Sequence, residues 1–129
     1  MDKNELVKFA LEVRENSYSP YSSFRVGAAL LTKNGRVYKG CNIENGAFSP
    51  TNCAERTAIF SAVADGEREF SAIAVVGGKD EITDFCPPCG VCRQVMTEFC
   101  DKDFEICLFD GKEIKTYTLG ELLPNSFNL

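Results

Sequence analysis

The chain has 129 residues, a length that suits one domain able to bury a core without disulfide staples. We therefore predict a single domain over residues 1–129. The net charge of −5 argues against a nucleic-acid partner, because such binders normally carry a basic face. No apolar run is long enough to span a bilayer and the polar N-terminus does not resemble a signal peptide, so we expect a cytoplasmic protein with no membrane partner.

The residue types restrict the chemistry further, since the chain holds seven cysteines and no histidine. Disulfides are rare in the cytoplasm, so clustered cysteines there favour metal binding or catalysis. Without histidine, a Ser-His-Asp triad, a Cys-His pair and a histidine-based zinc motif are all excluded. A metal would be held by thiolates or carboxylates, and the general base would be a carboxylate or, less readily, Lys, Tyr or Cys.

The hydrophobic periodicity predicts helices and strands that alternate along the chain. Asp2 can cap the first helix, Asn34-Gly35 predicts a hairpin turn, Thr51 or Asn52 can cap the second helix and Gly66 can end it. This order predicts an α/β layered domain around one mixed sheet. The predicted elements are a helix over 3–15, strands over 24–32 and 36–41, a helix over 53–64, a strand over 71–76, a helix over 90–99, strands over 104–109 and 113–117, and a short helix over 119–122.

Three cysteines stand at the starts of predicted helices. Cys89 and Cys92 form a CxxC pair that opens one helix, and Cys53 opens another. The helix dipole and free N–H groups at such positions stabilise thiolates. Three thiolates leave one position of a tetrahedral Zn²⁺ open, which is the pattern of catalytic sites, where the ion can acidify water to make a nucleophile.

Two charged residues follow Cys53 closely. Glu55 comes two residues later and is the natural proton shuttle, a role that typically contributes about 10²–10⁴-fold in rate. Arg56 could donate hydrogen bonds to the ligand sulfurs from outside the ligand set. Together with the helix dipoles, its charge would offset part of the negative charge of three thiolates.

Two motifs taken together resemble the paired signature of the cytidine deaminase family, in its short, homotetrameric, all-cysteine form. They are Cys53-Ala54-Glu55-Arg56 and Pro88-Cys89-Gly90-Val91-Cys92-Arg93-Gln94, and residues 18–28, 42–45 and 121–124 with Phe127 extend the resemblance over nearly the whole chain. The resemblance implies a three-layer α/β/α sandwich around a five-stranded mixed sheet. It also implies Zn²⁺-dependent hydrolysis of cytidine and 2′-deoxycytidine to uridine and 2′-deoxyuridine with release of ammonia, as in pyrimidine salvage.

The resemblance also implies a role for each matching residue. Cys53, Cys89 and Cys92 would bind zinc, Glu55 would move protons, and Arg56 would support the ligands. For the substrate, it implies that Asn42 and Glu44 bind the ribose hydroxyls, Phe24 packs on the nucleoside, the Ala54 backbone reads the pyrimidine edge, and Phe127 covers the base in a neighbouring subunit. Phe48 stands where the family commonly has Tyr, so a hydroxyl contact near the ribose would be absent. Gly46 stands where the family commonly has Ala.

Other readings of the same residues stay open at this point. Cys86 could supply a fourth thiolate and close the site, which would make the chain a structural zinc-binding interaction module. Cys86, Cys89 and Cys92 also resemble the start of a ferredoxin motif, although position 96 is Met where the next ligand should stand. Phe24 and Phe127 could be core aromatics. Among deaminases, blasticidin S deaminase is the near neighbour but is not expected to carry Asn42-Ile43-Glu44-Asn45 or Arg56.

Overall fold

The computed structural model describes residues 1–129, and its helices and strands lie close to the predicted ones. Asp2 caps the first helix, as predicted, and its side chain accepts a hydrogen bond from the N–H of Glu5. Gly66, at φ +96°, follows the second helix in the left-handed region. The elements in chain order are α1 (Lys3–Arg14), β1 (Arg25–Thr32), β2 (Val37–Cys41), α2 (Ala54–Ala64), β3 (Phe70–Gly78), α3 (Gly90–Phe99), β4 (Glu105–Phe109), β5 (Ile114–Thr118) and α4 (Leu119–Leu122).

Two differences from the prediction bear on the site, and the remaining boundaries shift by at most one residue. The N-cap of α2 is Cys53, not Thr51 or Asn52. Asn52 cannot cap the helix because its backbone pairs with Ile43, with N···O distances of 2.9 Å in both directions. Strand β3 continues through Gly77-Gly78, because these residues still pair with Val26 and Arg25 of β1.

The five strands form one mixed sheet in the order β2-β1-β3-β4-β5. Strands β3 and β4 are parallel and are joined through α3, whereas the other neighbouring pairs are antiparallel. Both edge strands, β2 and β5, are five residues long. Each edge carries a lysine whose ammonium lies over a phenylalanine ring, Lys39 over Phe9 and Lys115 over Phe85.

Helices cover both faces of the sheet, which confirms the predicted three-layer α/β/α sandwich. Helix α1 packs alone on one face, where Leu6 and Ala10 meet Ala29 of β1 and the alternate residues of β3. The other face is covered by α2, α3 and α4, which bury Ile59 and Met96 against the sheet. Successive strand residues point to opposite faces, so β1 and β3 contribute to both layers. None of the helices has the length and apolar character that a bilayer crossing requires.

Arg14 at the end of α1 is buried, with only 6% of its surface exposed. Its guanidinium donates to the carbonyls of Arg25 and Gly78, at 3.2 and 2.8 Å, and to those of Lys79 and Asp80, at 3.3 and 3.0 Å. These acceptors lie at the start of β1 and the end of β3. Arg14 therefore connects the N-terminal helix to the ends of the two central strands, β1 and β3, where the 79–89 loop begins.

Gly40 in β2 allows the first turn of α2 to lie directly on the sheet. A Cβ atom at this position would stand 2.5 Å from the carbonyl oxygen of Ala54 and 2.4 Å from the nitrogen of Ala58. Both neighbours are backbone atoms, which cannot move without shifting the helix. Gly40 thus sets the height of the α2 N-terminus above the sheet.

We expect Gly40→Ala to lower the free energy of unfolding by about 1–3 kcal/mol, because the added methyl group overpacks a backbone contact. Urea unfolding followed by circular dichroism measures this change. Gly90→Ala is the matched control, since no atom lies within 4 Å of a Cβ built at Gly90. Equal unfolding midpoints for the two variants would show that α2 shifts without cost.

Candidate active site

Three cysteine sulfurs meet where the N-termini of α2 and α3 face each other. Cys53 is the N-cap of α2, Cys89 is the N-cap of α3, and Cys92 is buried in the first turn of α3. The Sγ atoms of Cys53 and Cys89 are 3.7 Å apart, and those of Cys89 and Cys92 are 3.5 Å apart. All three sulfurs lie within 4.8 Å of one another. The chain folds so that two distant sequence motifs share one cluster.

The cluster fits a zinc ion in both spacing and donor chemistry. With Zn–S bonds of about 2.3 Å, tetrahedral geometry separates two sulfur ligands by about 3.8 Å. The observed separations of 3.7 and 3.5 Å agree with that spacing. Cys86 does not belong to the cluster and instead lies against Gly77 of β3. Three ligands without a fourth cysteine argue against the closed structural site, and the inclusion of Cys53 argues against the ferredoxin-like alternative.

The surroundings of Cys53 stabilise its thiolate. Hydrogen bonds from Cys92 and Arg56 lower the pKa of Cys53 to about 5. The Nη2 atom of Arg56 lies 3.1 Å from the Cys53 sulfur, as expected of a residue that supports a metal ligand. The Nε atom of Arg56 is buried and has no hydrogen-bond partner in the chain.

Glu55 lies in the first turn of α2 and is almost completely buried, with 4% of its surface exposed. Burial raises the pKa of its carboxyl to about 7. The nearby Cys53 charge contributes to this rise in pKa, because two negative groups disfavour each other. A carboxyl that titrates near neutrality can both accept and return a proton, which is the property required of a proton shuttle.

Asn42 follows β2 and holds the segment that leads into β1. Its Oδ1 accepts hydrogen bonds from the N–H of Val26, at 2.9 Å, and from the Ser17 hydroxyl. Its Nδ2 donates to the carbonyl of Phe24 at 2.8 Å. One N–H of the amide therefore remains available for a ligand.

Glu44 braces the same segment from two residues further along. Its carboxylate accepts hydrogen bonds from the N–H groups of Tyr21 and Ser22, at 3.0 and 3.2 Å, and from the Ser22 hydroxyl. The Ser22 hydroxyl and these N–H groups lower the pKa of Glu44, which keeps the carboxylate charged. The antiparallel pairing of Ile43 with Asn52 places the segment that carries Asn42 and Glu44 alongside the residues that lead into Cys53.

Phe24 is 37% exposed and is not a core aromatic. It lines a cavity of about 640 Å³ between the start of β1 and the 77–85 segment. Gly77 makes room for it, since a Cβ there would stand 3.0 Å from the Phe24 ring and 2.7 Å from the Cys86 sulfur. None of the three clustered cysteines lines this cavity.

The two remaining predicted residues lie in different places. Ala54 is the first residue of α2, fully buried between Cys53 and Glu55. Phe127 is 68% exposed, and its carbonyl oxygen lies 3.4 Å from Nε2 of Gln94. Gln94 comes two residues after Cys92, about 200° around the helix, so Phe127 is held on the opposite side of α3 from its own sulfurs.

The structure adds residues that the sequence did not indicate as part of the site. They hold the predicted substrate-binding residues Asn42 and Glu44 by hydrogen bonds or leave space for Phe24. These residues are Ser17, Tyr21, Ser22 and Gly77. The serines and the tyrosine lie in a loop whose composition is that of any turn. Only the closeness of this loop to the residues that follow β2 gives these hydroxyl and backbone N–H groups a role.

Comparison with known proteins identifies the family. The protein-family model for the cytidine and deoxycytidylate deaminase zinc-binding region matches residues 1–108 of the sequence. A cytidine deaminase of Sporosarcina psychrophila is 49% identical over 129 residues, covering 99% of this chain and 93% of that protein. One from Halalkalibacterium halodurans is 49% identical over 128 residues, covering 98% and 95%.

A solved structure agrees with these relatives. The crystal structure of cytidine deaminase from Burkholderia pseudomallei matches with a TM-score of 0.91 and 46% identity, covering 98% of this chain and 100% of that chain. The cluster geometry, the sequence relatives and the structural match point the same way. The chain belongs to the zinc-binding family of cytidine and deoxycytidylate deaminases.

Proposed function

We propose that the chain hydrolyses the amino group of cytidine and of 2′-deoxycytidine, giving uridine or 2′-deoxyuridine and ammonia, and that it serves pyrimidine salvage in the cytoplasm. The observation that carries this proposal is a buried carboxyl, Glu55, beside three clustered sulfurs. The relatives named above are cytidine deaminases along nearly their full length, which supports the same reaction.

Cys53, Cys89 and Cys92 would hold Zn²⁺, which when bound acidifies water so that it can act as a nucleophile near neutral pH. Glu55 takes the proton from the attacking water and delivers it to N3 of the pyrimidine. The water oxygen adds at C4, and Glu55 then moves the second proton to the amino nitrogen. The C4–N bond breaks and ammonia leaves, which restores the carboxylate. Arg56 donates to Cys53 and limits the charge that the thiolates place on the site.

Substrate binding would use groups that are already held in place. Asn42 and Glu44 would bind the ribose hydroxyls with the hydrogen-bonding capacity that their contacts in the chain leave over. Phe24 would pack on the nucleoside, and the backbone of Ala54 would read the edge of the base. Because Asn42 and Glu44 are fixed by the 17–26 segment, they need no reordering when the substrate arrives.

We also propose that the active form is a homotetramer. Large aromatic side chains are exposed in the 17–26 and 42–52 segments and in the C-terminal residues, a pattern typical of surfaces that bind another chain. These residues are Tyr18, Tyr21, Phe24, Phe48 and Phe127. Phe127 is 68% exposed, so its ring would be free to cover the base bound by a neighbouring subunit.

Phe127→Ala is expected to raise KM for cytidine about 10- to 100-fold, since one buried phenylalanine side chain contributes about 1.5–3 kcal/mol. Zinc content should not change, because Phe127 contacts none of the three cysteines. Steady-state kinetics and metal analysis of the purified variant measure both quantities. Phe60→Ala is the control, an exposed aromatic on α2. An unchanged KM would contradict the role of Phe127.

The reaction itself is tested by following the ultraviolet absorbance of cytidine as it becomes uridine. Conversion should stop when a chelator removes zinc and resume when zinc is restored. Cytidine, 2′-deoxycytidine and blasticidin S, assayed side by side, separate the proposed substrates from the nearest alternative. A folded, zinc-loaded protein that converts neither nucleoside would contradict the proposal.

A further inference from the structure

The Arg93 side chain makes hydrogen bonds to two parts of the chain that are distant from each other in sequence. Its Nε donates to the carbonyl of Pro88 at 2.7 Å, and one terminal nitrogen donates to the carbonyl of Leu122 at 2.6 Å. Pro88 is fully buried and immediately precedes Cys89. Leu122 ends α4 and packs against the core. One guanidinium therefore spans the turn that carries a sulfur ligand and the point where the C-terminal tail (residues 123–129) begins.

The next residue of α3 also holds the C-terminal tail. Gln94 Nε2 lies 3.4 Å from the carbonyl of Phe127 and 3.2 Å from the Thr97 hydroxyl. Helix α3 thus presents Cys92 to the cluster on one side and contacts to the tail on the other. The tail has no helix or strand of its own, so its contacts with α3 and α4 hold it against the domain.

We propose that Arg93 is a positioning residue that joins the turn carrying Cys89 to the C-terminal tail carrying Phe127. A planar guanidinium suits this role, because its donors leave at fixed angles and hold both carbonyls in one geometry. Hydrogen bonds from a charged donor are also about twice as strong as those between neutral groups. A lysine lacks this fixed fork, because all its donors leave from one rotatable ammonium group.

The link has a consequence across subunits. It rests on the proposed function, in which Phe127 covers the site of a neighbour. Arg93 then couples the ligand turn of one subunit to the aromatic cover over the next. Loss of the guanidinium frees both ends at once, which no residue confined to either end would do.

Arg93→Met tests the proposal, with Arg68→Met as the matched control. Arg68 also donates to two backbone carbonyls, those of Val63 and Glu67, but at the end of α2. In Arg93→Met we expect carboxypeptidase to release tail residues about tenfold faster, and a chelator to remove zinc faster, as the loss of charge-assisted hydrogen bonds predicts. Arg68→Met should behave as the unaltered chain in both measurements. Arg93→Lys should fall between them and serves if Arg93→Met folds poorly.

Kinetics separate positioning from a general loss of stability. Arg93→Met should raise KM more than it lowers kcat, and it should raise KM no further in a Phe127→Ala background. Unchanged tail release, or the same rise in KM with and without Phe127, would overturn the proposal. Should the unaltered chain fail to deaminate cytidine, the proposed function fails, while tail release and zinc removal still decide the role of Arg93.

Discussion

Glu55→Gln is expected to lower kcat by about 10²–10⁴-fold, the contribution of a positioned acid–base group, while zinc content stays unchanged. The amide has nearly the size of the carboxyl, so the buried first turn of α2 should keep its packing. It cannot accept the proton of the attacking water, and this loss falls on the chemical step. Stopped-flow absorbance and metal analysis measure the two quantities.

Glu98→Gln, an exposed change on α3, is the control for Glu55→Gln. It should match the unaltered chain in kcat, zinc content and thermal midpoint. A Glu55→Gln protein that turns over cytidine at the normal rate would show that another group moves the proton. A variant that loses zinc would show instead that Glu55 acts by holding the ligands.

Cys89→Ala is expected to lose both zinc and activity. Changes to groups that merely support a metal ligand cost about 10–100-fold in affinity, so removal of a sulfur ligand should cost more than about 100-fold. The protein should stay folded, because the cluster lies beside a core of 16 buried residues that does not depend on Cys89. Metal analysis after dialysis, together with the cytidine assay, gives the result.

Cys86→Ala makes a sharp control for Cys89→Ala, since Cys86 lies only three residues earlier and belongs to the same loop. Its sulfur is outside the cluster, and burial raises its pKa to about 11, so it stays a neutral thiol. Zinc and activity should both persist. Loss of zinc in Cys86→Ala would return the closed four-cysteine site to consideration.

The sequence predicts the fold and the reacting groups because both depend on local patterns. Alternating apolar residues and the Asn34-Gly35 turn define the β1–β2 hairpin, and the order of the elements defines the layers. Cys53 and the Cys89–Cys92 pair mark helix starts, so their meeting follows once α2 and α3 cover the same face of the sheet. The position of Glu55 then follows, because it lies two residues after Cys53 in the sequence.

The supporting contacts could not be predicted, because they join segments that no periodicity relates. Arg14 belongs to a helix whose charges the sequence places toward solvent, yet it is buried among backbone carbonyls. Asn42 and Glu44 gain their order from a loop 16 to 23 residues earlier. No sequence pattern relates Phe127 to Gln94, whose side-chain amide contacts the Phe127 carbonyl.

The two short edge strands bear on how copies of this chain can associate. An exposed strand edge is a template for pairing with another sheet, and such pairing leads to aggregation. Here β2 and β5 each offer only five residues, and Lys39 and Lys115 would bring positive charges together in any edge-to-edge contact. Continuous β-sheet across molecules is therefore disfavoured at both edges. The proposed association of subunits would therefore use helices and loops, where the exposed aromatics lie, and the protein should remain free of fibrils when concentrated.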